Sequence, residues 1–157
     1  MIYIETGSSD VYYNFGVETY FTLEKRLPDT VFLFWRTTPT LMVGKYQNVL
    51  EEINKPYADE HGIHIVRRMS GGGTVYHDLG NVNYTYITHQ KGPLDYDLCL
   101  QPVIDALNDI GVPARKNRTC DIAIGEQKIS GSAQRSAGGR LLHHGTLLFQ
   151  SDLAVLD

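Results

Sequence analysis

The sequence contains the stretch Arg67-Arg68-Met69-Ser70-Gly71-Gly72-Gly73-Thr74-Val75-Tyr76-His77-Asp78-Leu79-Gly80-Asn81, in which three successive glycines interrupt an otherwise extended segment. Glycines lack Cβ, so they let the main chain adopt positive φ and let a ligand approach the backbone amides closely. The two arginines before them supply fixed positive charge. This combination predicts a site for an anionic ligand that carries phosphate. The alternative interpretation is a flexible glycine hairpin with solvated arginines.

The glycine stretch does not match two common nucleotide-binding motifs. A Walker loop needs a lysine followed by serine or threonine after its last glycine, and no lysine follows here. In the dinucleotide motif G-x-G-x-x-G, Tyr76 would stand where the last glycine belongs, and the residues after it lack a helical pattern. A nucleotide would therefore be held in another way.

The composition predicts one globular domain. The chain has 157 residues, of which 42% are hydrophobic, and this is enough to bury a core. Its formal net charge is -4 and its pI is about 5.8. Its basic residues form no long stripe, so the sequence gives no electrostatic footprint for general nucleic-acid binding. Any nucleotide contact should be local.

Cysteines, histidines and the N-terminus bear on metal binding and location. Cys99 and Cys120 are too few for a disulfide framework or a four-cysteine zinc site, so we expect free thiols in a reducing compartment. His61 and His64 lie three residues apart, but no third ligand accompanies them, which disfavours zinc. Residues 1–5 do not resemble a signal peptide, and no window approaches the ~18 apolar residues of a membrane span. We therefore expect a cytoplasmic protein that does not contact a membrane.

Hydrophobic periodicity and turn residues predict both strands and helices. The predicted strands cover residues 3–6, 31–36, 40–44, 63–68, 81–88, 121–124, 127–133 and 140–150. The first predicted helix begins at Asp10 with Ser8 or Ser9 as its cap; the others cover 48–61, with an interruption at Pro56, and 95–110. We expect the strands at 31–36 and 40–44 to form a hairpin. Because strands and helices do not alternate strictly, we predict an α+β fold with a mixed, mostly antiparallel sheet flanked by helices.

Polar residues on the later strands are candidates for chemistry. Lys128 lies beside the small residues 130–132, where its ammonium could enter a cleft and would need an anionic partner. The alternative is an exposed strand lysine. His143 and His144 are adjacent on a strand, so they point to opposite faces and at most one of them should line a site. Asp121 could bind magnesium or a ribose, or could simply begin a strand.

Three motifs, in order along the chain, resemble the lipoate-protein ligase A family. They are RRMSGGGTVYHDLGN at 67–81, KISGSA at 128–133 and HHGTLL at 143–148. The first helix, the strand at 34–36 and the segment 43–48 also resemble this family, so the likeness covers essentially the whole chain. It implies the fold shared by biotin-protein ligases and class II synthetase cores.

The resemblance implies a two-step reaction. Lipoate and ATP would give lipoyl-adenylate and pyrophosphate, and a lysine of a lipoyl domain would then take the lipoyl group. The implied cofactors are ATP and Mg²⁺, and lipoate is the implied substrate. The implied partners are the lipoyl domains of α-keto-acid dehydrogenase subunits and the glycine-cleavage carrier protein.

The resemblance also implies roles for individual residues. Lys128 matches the catalytic lysine, whose cation would touch the carboxylate and the α-phosphate and stabilise charge in the transition state. The nucleotide-binding positions are Arg68, Gly73, Thr74, Val75, Tyr76, Asp121 and Lys128. The lipoate-binding positions are Arg68, Ser70, Gly72, His77, Lys128, His144 and Thr146. Asp121 is also the candidate ligand for Mg²⁺.

Two departures from the family pattern leave alternatives open. The family usually has asparagine before the matched aspartate, but here that residue is Cys120, and related octanoyltransferases carry the acyl group on a cysteine thioester without ATP. Their cysteine lies farther upstream of the matched lysine, so we favour the ATP-dependent ligase. The chain ends at Asp157 whereas ligases of this family continue, so we expect residues 1–157 to be a catalytic domain truncated at its C-terminal end. A non-catalytic lipoate-binding fragment is the third hypothesis.

Overall fold

A computed structural model describes residues 1–90, 92–118 and 120–155, apart from the side chain of Leu153. The strands are β1 (Ile2–Glu5), β2 (Val31–Trp35), β3 (Thr40–Val43), β4 (His64–Arg67), β5 (Val75–His77), β6 (Asn81–His89), β7 (Ala114–Asn117), β8 (Asp121–Ile124), β9 (Gln127–Ala137) and β10 (Arg140–Leu148). The helices are α1 (Val11–Thr19), α2 (Val49–Glu52), α3 (Lys55–Glu60) and α4 (Asp97–Asp109), with a π-helical segment at Tyr20–Glu24 and a 3₁₀ turn at Leu153–Val155. Within these ranges, no helix combines the length and apolar character needed to cross a bilayer.

In the described ranges, seven strands form the main sheet, in the order β1-β2-β6-β10-β9-β8-β7. β1 and β2 are parallel, and the other neighbours are antiparallel. A second sheet of three strands has the order β4-β3-β5. The predicted α+β fold with a mostly antiparallel sheet is confirmed, whereas the second, small sheet was not expected from the sequence.

The predicted hairpin between residues 31–36 and 40–44 is wrong. β2 pairs with β1 on one side and with β6 on the other, so both of its edges are occupied. β3 instead joins the small sheet, parallel to β4 and antiparallel to β5. Closeness in sequence favours local pairing, but an apolar strand such as β2 buries more surface when it has a neighbour on each side.

Asp10 caps α1, in place of the expected Ser8 or Ser9. Its Oδ1 accepts hydrogen bonds from the backbone N–H groups of Tyr12 at 2.8 Å and Tyr13 at 3.1 Å. Ser8 lies one step back, where its Oγ accepts from the N–H of Asp10 at 3.1 Å. A carboxylate at this end also interacts favourably with the helix dipole, which a hydroxyl does not.

The helix predicted over 48–61 is two short helices, α2 and α3. The side chains of Asn48 and Asn54 cap them. Pro56 lies in the first turn of α3, where its missing N–H has no helical partner to lose, so it starts a helix rather than interrupting one. The helix predicted at 95–110 is α4, and Gly111 follows it with a φ of 85°.

Two core clusters cover the two faces of the main sheet. The first combines α1, the main sheet and the small sheet: Val11, Val31, Leu33, Trp35, Met42, Val66, Ile87 and Leu142. The second combines α4 with the opposite face of the main sheet: Tyr84, Leu100, Val103, Ile104, Ala114 and Ile122. The small sheet and α1 therefore lie over the same face of the main sheet.

Gly145, in β10, lies against a fully buried tyrosine. A Cβ at this position would lie 2.3 Å from atoms of the Tyr84 ring and hydroxyl. We expect Gly145→Ala to lower the free energy of unfolding by about 1–3 kcal/mol, because the core has to shift to admit the methyl group. Gly16 in α1 is the matched control, since a Cβ there meets nothing within 4 Å and alanine should raise the free energy of unfolding by about 0.5–1 kcal/mol. Urea denaturation measures both changes, and a fully stable Gly145→Ala variant would contradict the close contact.

His143 is fully buried under α4, where Gln134 Nε2 lies 3.0 Å from its Nδ1. Burial, aided by the nearby His144, lowers the pKa of His143 from 6.5 to about 3. Between these two values the unfolded chain binds a proton that the folded chain does not. Stability from this group is therefore complete above pH 6.5 and is lost as the pH falls towards 3.

We expect the free energy of unfolding to decrease as the pH falls from 6.5 towards 3. His143 should contribute up to about 1.36 kcal/mol per pH unit to this decrease. His143→Gln should reduce the slope. His61→Gln, at an exposed histidine, is the control for the loss of one imidazole. Urea denaturation at several pH values between 4 and 7 gives the slopes, and equal slopes in wild type and His143→Gln would refute the assignment.

Candidate active site

A cavity of about 590 Å³ lies between the main sheet and the small sheet. Its floor is a row of five residues that lie side by side, one from each of five neighbouring strands. In order, they are Trp35, Asn83, Thr146, Gly131 and Asp121. Because neighbouring strands lie about 4.8 Å apart, this row is about 19 Å long. It begins at an aromatic side chain and ends at a carboxylate. The cavity therefore changes from apolar to charged along its length.

Three apolar residues of the cavity wall were not predicted from the sequence as site residues. Phe15 packs edge-on against Trp35, with ring centroids 5.3 Å apart, and Met42 of the small sheet lines the same cavity. All three also belong to the first core cluster or pack against it. Their signal in the sequence was that of ordinary core residues, so only the structure distinguishes them as cavity walls.

Arg68 holds the glycine loop, which we define as residues 70–74. Its Nη1 donates to the carbonyl of Met42 at 2.8 Å, and its Nη2 donates to the carbonyls of Gly71 at 2.9 Å and Gly73 at 2.7 Å. Burial lowers the pKa of this guanidinium. Arg68 lines the cavity as expected, but its hydrogen bonds here go to the backbone of the loop. Its contact with a ligand stays a prediction.

The glycine loop fits against the neighbouring turn only because side chains are missing. Gly72 has a φ of 98°, and a Cβ there would lie 2.8 Å from Arg68 Nη2. A Cβ on Gly44 would lie 1.9 Å from the carbonyl oxygen of Gly72. Of the triplet, Gly72 alone has positive φ. The predicted positive φ is confirmed at this one residue.

Lys128 and Asp121 form an ion pair on the cavity wall. Lys128 Nζ lies 2.9 Å from Asp121 Oδ1, and the two side chains are 54% and 11% exposed. The predicted anionic partner of Lys128 is therefore present. The alternative of an exposed strand lysine is also correct in part, since half of the side chain meets solvent. Because of this exposure, the pair can open to admit a charged ligand at small cost.

A β-bulge directs Lys128 to the cavity. β8 and β9 pair Asp121 with Gly131 and Ala123 with Lys128, and the register shifts between them. In a regular strand Lys128 and Gly131 would point to opposite faces, because they are an odd number of residues apart. The bulge inserts one residue and brings them to the same face. This orientation depends on pairing between strands, so the sequence pattern alone did not indicate it.

His144 is held by a buried polar network. Its Nδ1 lies 3.2 Å from Glu18 Oε2, and its Nε2 lies 2.6 Å from Ser70 Oγ. Thr85 Oγ1 donates to the other oxygen of Glu18, which is fully buried in α1. The network joins α1, the main sheet and the glycine loop. The sequence pattern did not indicate Glu18 as part of the site, because a glutamate within an amphipathic helix is typically exposed.

The arrangement of Ser70, His144 and Glu18 resembles a nucleophilic triad, but the burial of Ser70 indicates a structural role. Ser70 is only 1% exposed and lies behind the cavity wall, next to His144, which forms part of that wall. A nucleophile has to reach its substrate. Ser70 instead fixes the orientation of His144 and joins it to the glycine loop.

His143 and His144 lie on opposite faces of the main sheet, as expected. His144 lines the cavity, whereas His143 is buried beside Tyr84, Tyr86 and Tyr96. The prediction that at most one of the two histidines lines a site is confirmed.

Three further polar residues on the cavity wall leave hydrogen-bonding groups unused. Among the described residues, no partner lies within reach of His77 Nδ1, either side-chain polar atom of Asn81, or Asn83 Nδ2. All three residues are more than 95% buried. Burial, aided by the charge of Arg68, lowers the pKa of His77 to about 3, so its imidazole is neutral at pH 7. Such groups need a polar ligand or water as a partner.

The structure brings together most of the predicted site residues. Those on the cavity wall are Arg68, Gly72, Gly73, Thr74, Val75, Tyr76, His77, Asp121, Lys128, His144 and Thr146. Burial and the charge of Asp78 raise the pKa of Tyr76.

Asn81 and Asn83 were not predicted as site residues, although polar residues at alternate positions of an otherwise apolar strand could have indicated them.

Cys120 also lines the cavity, as a protonated thiol. Both cysteines are free, and Cys120 Sγ donates to Asp121 Oδ1 at 3.6 Å. Burial, followed by the negative charge of Asp121, raises the pKa of Cys120. A cysteine nucleophile needs the thiolate, which this environment disfavours.

Asp121 is a suitable ligand for magnesium only together with a substrate. Mg²⁺ usually binds to one or two protein carboxylates and to phosphate oxygens. Across the part of the chain that the structure describes, no group of three or more His, Cys, Asp or Glu residues could hold a metal ion. Asp121 is the only carboxylate among the described residues of the cavity wall. It fits a site in which one protein carboxylate and phosphate oxygens together bind Mg²⁺.

Comparison with known proteins gives a family and several relatives. Residues 10–157 match the family model described as the lipoyl protein ligase A/B catalytic domain. The chain is 41% identical over 154 residues to lipoate-protein ligase LplJ of Bacillus subtilis, and the alignment covers 96% of this chain and 46% of that protein. The chain thus spans about half the length of the curated relatives it matches.

Solved structures of similar fold include proteins bound to the expected ligands. P. falciparum LipL1, in complex with lipoate, has a TM-score of 0.89 and 26% identity over 99% of this chain and 50% of that one. A bipartite ligase from Thermoplasma acidophilum, studied with its lipoyl domain, has a TM-score of 0.88 and 26% identity, and the match covers 99% of this chain and 63% of that one. Lipoate-protein ligase A bound with ATP has a TM-score of 0.85 and 27% identity, and the match covers 99% of this chain and 68% of that one. The chain therefore belongs to the family of lipoyl protein ligase A/B catalytic domains.

Proposed function

We propose that this chain carries the site for ATP-dependent activation of lipoate to lipoyl-adenylate and for transfer of the lipoyl group to a lysine of a lipoyl domain. One observation carries the proposal: the row of cavity residues from Trp35 to Asp121, about 19 Å long, changes from apolar to charged and ends beside Lys128. An acyl chain suits the first part and a phosphate the second. Similar proteins solved with lipoate and with ATP support this interpretation.

In the first step, a carboxylate oxygen of lipoate attacks the α-phosphorus of ATP, and the bond from that phosphorus to pyrophosphate breaks. Both reactants are negatively charged. The ammonium of Lys128, at the charged end of the row, would touch both groups and offset their repulsion as charge builds up in the transition state. Asp121 holds Lys128 towards the cavity until the ligand's own charges replace it.

In the second step, the neutral amine of the acceptor lysine attacks the acyl carbonyl carbon, AMP leaves, and the amine loses a proton to solvent. The glycine loop serves both steps by presenting backbone amides without intervening side chains. Because Arg68 bonds three carbonyls on and beside this loop, the amides are arranged before the nucleotide arrives. Mg²⁺, held by Asp121 and phosphate oxygens, would supply further positive charge.

The unused polar atoms of His77, Asn81 and Asn83 support a polar ligand in the same cavity. These side chains carry no charge at pH 7, and Asn83 lies beside Trp35, at the apolar end of the row. We therefore keep His77 on the lipoate side, as the resemblance implies. The backbone of residues 73–76 and Asp121 are the further contacts that we assign to the nucleotide. We assign Ser70, Gly72, His144 and Thr146 to the lipoate side, with Ser70 acting through His144.

Lipoyl domains are the proposed acceptors, and a relative studied with its lipoyl domain supports this class of partner. The lipoyl domains of α-keto-acid dehydrogenase subunits and the glycine-cleavage carrier protein remain specific predictions within the class. The cytoplasmic location also stays a prediction.

Two alternatives differ in chemistry. A thioester transferase would need the thiolate of Cys120, which burial and Asp121 disfavour. A non-catalytic lipoate-binding fragment would bind lipoate without consuming ATP.

Lys128→Ala tests the proposed chemistry. The 157-residue chain is mixed with lipoate, ATP and magnesium chloride without an acceptor, and lipoyl-adenylate is measured by mass spectrometry. We expect Lys128→Ala to lower its formation at least about 100-fold. Urea denaturation should show an unchanged midpoint, because the Lys128 side chain is 54% exposed. Lys116→Ala, which removes an ion pair outside the cavity, is the matched control and should retain full activity.

Two results would count against this assignment. Near-normal adenylate formation by Lys128→Ala would remove Lys128 from the chemistry. A wild-type chain that binds lipoate but makes no adenylate would favour the non-catalytic fragment.

Cys120→Ser separates the ligase from the transferase. We expect this variant to form lipoyl-adenylate within about threefold of wild type, because the serine hydroxyl can still donate to Asp121 and the thiol takes no covalent part. Mass spectrometry of the intact wild-type chain, incubated with an octanoyl-carrier donor and no ATP, should show no added acyl group. An acyl-thioester in wild type that is absent from Cys120→Ser would instead establish the transferase.

A further inference from the structure

The turn that follows β3, residues 44–47, is locked to the glycine loop. The N–H of Lys45 donates to the carbonyl of Ser70 at 2.9 Å. Arg67 Nη1 donates to the carbonyls of Gly44 at 2.8 Å and Gln47 at 2.9 Å. The close approach of Gly44 to the glycine loop leaves no room for a side chain between the two segments. The shape of the glycine loop therefore depends on this turn.

Gln47 contributes the one side-chain atom that joins both segments in the described part of the chain. Its Oε1 accepts from the N–H of Gly44 at 2.9 Å and from the hydroxyl of Thr74 at 3.0 Å. The first bond is local and closes the turn. The second spans 27 residues and ties the end of the glycine loop to the turn.

Thr74 lines the cavity, whereas Gln47 lies behind it. Gln47 is therefore placed to act on a bound molecule only through Thr74. Because the Thr74 hydroxyl donates its hydrogen to Gln47, its oxygen faces the cavity as an acceptor in a fixed orientation. Without Gln47, the hydroxyl could rotate and the loop would lose its bond to the turn.

We infer that Gln47 is a positioning residue for the nucleotide: it fixes Thr74 and the end of the glycine loop, and so sets the affinity for ATP without touching it. This inference rests on the proposed function, since it needs a nucleotide at the glycine loop. Neither the family resemblance nor the glycine motif assigned a role to Gln47.

The test measures binding of ATP, with magnesium chloride, to the 157-residue chain by isothermal titration calorimetry. Gln47→Met keeps the size of the side chain but removes the acceptor, and Thr74→Val keeps the shape but removes the donor. We expect each variant to raise the Kd for ATP about fivefold to tenfold, which corresponds to one hydrogen bond. The double variant should bind about as weakly as the weaker single variant, because both changes remove the same bond.

Three controls separate positioning from general damage. The Kd for lipoate, measured in the same way, should stay within about twofold of wild type in Gln47→Met, since a partly unfolded chain would lose both ligands. Thr74→Ser retains the hydroxyl and should bind ATP more tightly than Thr74→Val. Gln101→Met makes the same exchange at an exposed position of α4 and should leave both dissociation constants unchanged.

Wild-type affinity for ATP in Gln47→Met would overturn the inference while leaving the proposed function intact. The same holds if the fold-changes of the two single variants multiply in the double variant, since the residues would then act independently. If the wild-type chain binds lipoate but not ATP, the proposed function fails and the inference fails with it.

Discussion

The guanidinium of Arg68 holds the site together. A loop with three consecutive glycines has high conformational entropy, and its shape has to be imposed by the surroundings. Arg68 does this by donating to carbonyls of Met42, Gly71 and Gly73, while Arg67 donates to carbonyls of the neighbouring turn. The two arginines that suggested an anion site in the sequence therefore act first on the protein's own backbone. The loop gains a defined shape, and positive charge stays close to the cavity.

The main sheet forms the floor of the cavity, and the residues of this floor change from apolar to charged along its length. Antiparallel pairing aligns Trp35, Asn83, Thr146, Gly131 and Asp121 across five strands. The bulge in β9 brings Lys128 onto the same face. The ion pair of Lys128 with Asp121 then sits at the far end from the aromatic residue. A molecule with an apolar tail and a carboxylate matches this change from apolar to charged, which is the basis of the proposed function.

Glu18 shows how the first helix takes part in the site. A buried carboxylate is costly unless it is hydrogen-bonded and paired, and here both oxygens have partners, Thr85 and His144. The π-helical segment begins two residues later, at Tyr20, and such segments occur often at functional sites. Through His144 and Ser70, this network connects α1 with the glycine loop. The apolar wall, the floor and the loop are thus one connected structure.

The sequence by itself determined the elements whose signals are local: the strands other than β5 and β7, the helices α1 and α4, the α+β class, the opposite orientations of His143 and His144, and the backbone demand of the glycine triplet. It did not determine which strands pair, so the expected 31–36 and 40–44 hairpin became two strands in different sheets. The bulge that aims Lys128, the burial of Glu18, the place of Ser70 behind His144 and the aromatic cavity wall were also decided by the tertiary structure. Each depends on contacts between residues far apart in the chain, and local periodicity carries no information about those contacts.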